Sequence, residues 1–184
     1  MVGAELRTRD HTVTDRPQPA SVAIGFLTVI EDPTGWVGGY LVTNAWGRPL
    51  EFRLTSAVQP NRIQTVLYGP TLEEYLYADV IGKALVEKTS IRPDLIVTDC
   101  PEMLGLRSRI DVPVIGTAGG GHSVSIASAR STEPLFVLSR FASDESIVAA
   151  RLEAVDPAVD LCEPFARIRE AVTEARKMGA SRAA

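Results

Sequence analysis

A carboxylate set into the apolar face of a helix must be paired, coordinated or held at the margin of that face, because burying a lone charge is costly. Glu73 is set this way. Between Thr71 and Lys88, Leu72, Leu76, Val80 and Ala84 recur at four-residue spacing, and Glu73 falls inside that stripe. Thr71 and Glu74 have the form of a capping box, so Glu73 is not needed as a cap. An ion pair to an arginine, a frayed first turn and a ligand role each account for it. The glycine-rich run from Gly116 through Gly119, Gly120 and Gly121 to His122 could cradle a phosphate on backbone N–H groups. No Lys-Ser/Thr follows it and no helix begins there, so it is not a Walker A loop. His122, Ser123 and Ser125 also lack the strand–GxSxG–helix elbow of a hydrolase. Trp36, Tyr40 and Trp46 gather near the first two hairpin loops, with Arg48 beside them. Such a set can stack bases, anchor a protein interface or pack across strands; Trp46, at a loop tip, suits the last role least.

These groups need elements to position them, and the composition allows one well-buried domain. The chain has 184 residues, 45% of them apolar and 23% charged. Its apolar runs fall short of the roughly 20 residues a membrane-spanning helix needs. The N-terminus carries charges and prolines rather than a secretory h-region, which implies a cytoplasmic protein. Cys100 and Cys162 have no second Cys or His at metal-ligand spacing, so no zinc site is expected. The net charge of −4 argues against a protein that grips nucleic acid by its backbone. Arg48, Arg53, Arg62, Arg107 and Arg109 are unevenly spread and leave a local basic strip open.

The expected order is a disordered tail over residues 1–20, one α/β domain over 21–178 and a disordered tail over 179–184. Within the domain, 22–30, 38–43 and 49–58 read as strands joined by short loops, hence an antiparallel meander. The segment 61–68 is ambiguous between helix and strand. A helix over 71–88 follows, then an apolar strand over 94–99, a short helix over 101–109 and a strand over 112–117. The strand–helix–strand order implies parallel pairing. Residues 118–133 read as an exposed loop, 134–140 as a strand, and 144–155 and 161–178 as helices. The fold class is α/β: a three-stranded antiparallel meander followed by parallel strand–helix units in one mixed sheet of roughly five or six strands.

From Val22 to Thr117 this element order resembles the ribonuclease H-like superfamily. The resemblance implies carboxylates on the first strand, the first helix and the end of the fourth strand, holding two Mg²⁺ or Mn²⁺ ions. The matching positions here are Asp32 (with Glu31), Glu73 and Asp99, as catalytic and metal-ligating residues. Hard divalent ions prefer such oxygen ligands, and two of them can stabilise both oxygens of phosphodiester cleavage. His122 and Asp144 are the auxiliary positions it implies, and nucleic acid the partner. Asp32 also suits a Pro-Gly turn, and Asp99 suits an N-cap with Glu102 at N3. Two other functions fit the residues: a protein-interaction module using Trp36, Trp46, Arg48 and a sheet edge, and a nucleotide-binding domain built on 116–122.

Overall fold

β-Branched and apolar residues after Val22 build β1 (Ile24–Asp32), which turns through Pro33 and Thr34 into β2 (Gly35–Thr43). Gly35 sits at φ +121°, which favours glycine. β3 (Pro49–Leu54) completes the meander by antiparallel pairing with β2. The computed structural model describes residues 22–129, 131 and 133–182, so the tail expected at 1–20 lies outside the described residues. β4 (Leu95–Thr98) and β5 (Val114–Gly116) add in parallel to β1. β6 (Ser123–Ile126) and β7 (Leu135–Leu138) form an antiparallel pair beyond β5. The sheet therefore has seven strands in the order β3-β2-β1-β4-β5-β7-β6. The extra strand is β6, which lies within the stretch expected to be a loop.

Helices cover both faces. Alternation along the strands puts Ile24, Phe26, Leu95 and Val97 on one face. They pack there under α4 (Glu145–Glu153) and α5 (Glu163–Arg182), against Val148, Phe165, Ile168 and Val172. α5 runs past Met178, where a tail was expected. Leu27, Tyr40, Val42 and Ile96 face the other way, against Ile81, Leu85, Met103 and Leu104. Gly38 and Gly39 let both layers approach: a Cβ at Gly38 would lie 2.2 Å from Ile81, and one at Gly39 2.3 Å from Ile168. No helix among the described residues is long and apolar enough to cross a membrane.

The second layer departs from a single regular helix. α1 (Arg62–Tyr68) begins at a full capping box between Asn61 and Gln64, which resolves the ambiguous segment as helix. A 3-10 turn (Gly69–Thr71) leads into α2 (Leu72–Glu74), a π-helical stretch (Tyr75–Gly82) and α3 (Lys83–Glu87). Thr71 donates to the Tyr68 carbonyl and makes no cap. The wider π turns shift the helical phase, so Leu76, Ala78, Ile81 and Leu85 are buried while Glu73 is exposed. Glu73 thus sits at the margin of the apolar face rather than within it.

β3 is tied to this layer through Glu51. Its carboxylate accepts from the Thr89 hydroxyl at 2.7 Å and from the N–H groups of Ser90 and Ile91 at 2.9 and 3.1 Å. The Thr89 hydrogen bond, then Arg53 and these N–H groups, hold its pKa at about 2, below the usual 4.5. The folded pKa is the lower one, so this stabilisation is present above pH 4.5 and is lost as pH falls toward 2. Urea titrations across that range should show Glu51→Gln less stable than wild type near neutrality and the difference closing in acid.

Candidate functional site

The carboxyl end of β4 lies beside the middle of β1, and their register decides which residues meet there. Leu27 pairs with Thr98, so Thr28 is level with Asp99. Asp32 lies four residues further along β1, roughly 13 Å away. Thr28, Asp32 and Asp99 all face α5, which sends an arginine to each acid. Arg169 forms an ion pair with Asp99 and also lies 3.4 Å from the Thr28 hydroxyl. Its guanidinium thereby bridges the middle of β1 and the end of β4. Arg176, two helical turns on, pairs with Asp32. The other Asp32 oxygen accepts from the Thr34 N–H at 2.7 Å and hydroxyl at 2.6 Å, which is the turn role its Pro-Gly context implies. Asp99 makes no cap: Cys100 starts the 3-10 helix Pro101–Ser108 with no side-chain cap bond. Burial, then the neighbouring Asp99, push the Cys100 thiol up to about 11, so it stays protonated and unreactive at neutral pH.

Glu73 belongs to the opposite layer. With Glu74, Glu102, Gly120, Gly121 and His122 it lines a cleft of about 360 Å³. The phenol of Tyr77 is raised to about 12, first by burial, then by Cys100, Glu73, Glu102 and Glu31. The acids that line this cleft with Glu73 are Glu74 and Glu102; Asp32 and Asp99 are not among its lining residues. Among the described residues, no three or more His, Cys, Asp or Glu side chains are arranged to hold a metal ion. His122 is exposed, and its carbonyl accepts from the N–H and hydroxyl of Ser139. The glycine-rich run opens no helix; it leads directly into β6, with Gly119 against the Phe136 ring and Gly120 against Pro101. Asp144 is 5% exposed and is held by Arg107.

Three antiparallel strands, a helix, a parallel strand, a helix and a second parallel strand, ordered 3-2-1-4-5 across the sheet, realise the arrangement the element order implied. This is the strand order that the resemblance to ribonuclease H-like proteins implies. A solved structure of an endonuclease V from Bacillus subtilis is similar in fold, at 12% identity and a TM-score of 0.47, over 88% of this chain and 83% of that one. No family model and no curated protein matches the chain. The divalent ions that the resemblance implies do not fit the described residues. Where β1 meets Asp99 it offers the Thr28 hydroxyl, and a guanidinium already lies between the two.

The aromatic set divides. Tyr40 is fully buried, and Trp36 is half-buried at a bridge to Val58. Trp46 is 53% exposed and, with Arg48 and Arg167, lines an open cavity of about 790 Å³ that also carries Asp156, Asp160 and Glu163. Sequence reasoning passed over one feature. Thr28 and Arg169 carried no motif, although Arg169 and Arg176, seven apart on one helix face, were a visible signal. The outer row of β3, by contrast, follows from its sequence alternation, which reads as a half-exposed strand near a sheet edge. Leu50, Phe52 and Leu54 are 46%, 38% and 42% exposed, on the edge strand, beyond the cover of α5.

Proposed function

We propose that this protein is a non-catalytic α/β module that works by binding another protein through the open edge of its sheet. The observation that carries this is the apolar row Leu50, Phe52 and Leu54 on a strand that, among the described residues, has one unpaired side. An edge strand normally shields itself with charge, and an apolar one is a template for pairing. Trp46, in the loop leading into β3, extends the exposed apolar surface. The engagement of Asp32 and Asp99 by arginines supports the absence of catalysis.

A phosphodiesterase acting on nucleic acid, with Asp32, Glu73 and Asp99 as Mg²⁺ or Mn²⁺ ligands, is the second reading. Asp99 favours it by closing β4, where the resemblance implies a ligand; it requires Arg169 and Arg176 to leave. Nucleotide binding on 116–122 is opposed by Glu73, Glu74 and Glu102, which face Gly120 and Gly121 across the cleft and repel a phosphate. Incubation with single- and double-stranded DNA and RNA in Mn²⁺ separates the first two readings. No cleavage is expected. Glu73→Gln should leave the melting temperature nearly unchanged, within about 0.5 kcal/mol, as for other exposed substitutions. Mn²⁺-dependent cleavage that disappears in Asp99→Asn and Glu73→Gln would overturn the non-catalytic reading.

A further inference from the structure

The sequence of β3 is symmetric in chemical type about its centre: Leu50-Glu51-Phe52-Arg53-Leu54 reads apolar, acidic, aromatic, basic, apolar. An antiparallel pairing of this strand with itself, centred on Phe52, sets Phe52 opposite Phe52, Leu50 opposite Leu54, and Glu51 opposite Arg53. Directly opposed residues share a face, so the apolar row meets an apolar row and each charge meets its opposite. Moving the centre by half a step sets Phe52 opposite Arg53 and Glu51 opposite Leu54, which opposes charge to apolar surface throughout. The side chains therefore choose one register.

The backbone agrees with it. Thr55 donates its N–H to Gly38 at 3.0 Å, and Leu54 pairs with Gly39 in the next step. Hydrogen bonding alternates along an antiparallel pair, so Arg53 and Glu51 turn their N–H and C=O toward β2, while Phe52 and Leu54 turn theirs outward. Phe52 opposite Phe52 then falls at a hydrogen-bonded position, where two identical residues exchange both bonds. The register step at Val42 and Thr43 leaves Leu50 without a partner on β2 and limits the regular edge to the segment around Phe52. Arg53, paired with Glu51 within one strand, comes opposite the Glu51 of the second copy, whose carboxylate keeps its bonds to Thr89, Ser90 and Ile91. Charges that would guard an edge against other strands here complement a second copy.

We infer that β3 pairs antiparallel with β3 of a second copy of this chain about a two-fold axis at Phe52, joining two seven-stranded sheets into one. This rests on the proposal that the β3 edge is a binding surface, and it names the partner.

Sedimentation equilibrium of the full chain from about 1 µM to about 1 mM covers the range of weak association. Wild type is expected to shift with concentration from 19.8 kDa toward twice that mass. Phe52→Lys, at a half-exposed position, is expected to melt as wild type does and to stay at the monomer mass. Phe52→Cys in a Cys162→Ser background is expected to form a disulfide-linked dimer on mild oxidation, since opposed Cα atoms at such a position lie about 5.5 Å apart. Wild type that remains monomeric, a Phe52→Lys variant that still dimerises, or a failure of Phe52→Cys to cross-link overturns the inference. None of these touches the non-catalytic reading, which only Mn²⁺-dependent cleavage overturns.

Discussion

Arg107→Ala is expected to cost about 3–5 kcal/mol of folding stability, the usual penalty for stripping the partner from a buried ion. Asp144 is 5% exposed, and its carboxylate accepts from Arg107 Nε at 2.6 Å and Nη2 at 3.4 Å. The same guanidinium donates to the Ile110 carbonyl at 3.1 Å and lies 4.4 Å from the centre of the Phe141 ring. Arg107 comes from the 3-10 helix after β4, and Asp144 ends the 3-10 segment Ser139–Asp144 that leads into α4. The pair therefore fastens two elements widely separated in the chain. Without the guanidinium, the carboxylate keeps its desolvation cost and loses its ion-pair partner. For a domain of this size the loss corresponds to roughly 10 °C of melting temperature. Arg107→Met with Asp144→Leu should recover most of it, because replacing both members of a buried pair with apolar groups is often neutral. Equal melting of wild type and Arg107→Ala would show that Asp144 does not depend on this arginine, and would return it to consideration as a ligand.

Asp144 also illustrates what could be read from the chain and what could not. The strands of the meander and β4 were legible because each is a run of apolar, β-branched residues between turn formers, as in 22–30 and 94–99. α5 was legible from Phe165, Ile168 and Val172 on one face. β6 was not, because Val124 and Ile126 alternate within a stretch dominated by glycine and serine. The π-helical turns from Tyr75 to Gly82 left no mark in composition, yet they rotated Glu73 out of the stripe that a regular helix would have put it in. The site was harder still. Asp32 and Asp99 each close a strand, and counting along the chain makes them look equivalent. Only the pairing of Leu27 with Thr98 reveals that Asp32 overshoots Asp99 and that Thr28 is its true neighbour. Register is a property of two strands together, and neither strand alone encodes it. The partners of these acids come from α5, distant in sequence, and a long-range ion pair has no local signature.

The bridging guanidinium makes a further result expected: Thr28→Asp combined with Arg169→Ala should turn the junction between β1 and the end of β4 into a site that responds to Mn²⁺. In wild type, one positive group serves both strands, touching the Thr28 hydroxyl and pairing with Asp99. Removing it while adding a second carboxylate at a fully buried position leaves two like charges side by side, and the fold is weakened unless a cation or a proton takes the vacated place. Mn²⁺ suits two carboxylate oxygens, and a ligand at about 100 times its dissociation constant stabilises the folded state by about 2.7 kcal/mol. Thermal melts should show a rise of several degrees with Mn²⁺ in the double variant and none in wild type. Thr28→Asp alone keeps Arg169 to neutralise both acids, so it should fold without metal and respond weakly, which separates metal binding from a general failure to fold. If the double variant folds but ignores Mn²⁺, the guanidinium is only a surface ion pair and does not stand where a cation would. A rise in both the double variant and the native chain would mean instead that Arg169 yields to metal, and the phosphodiesterase reading would regain the ground that the arginine pairs now deny it.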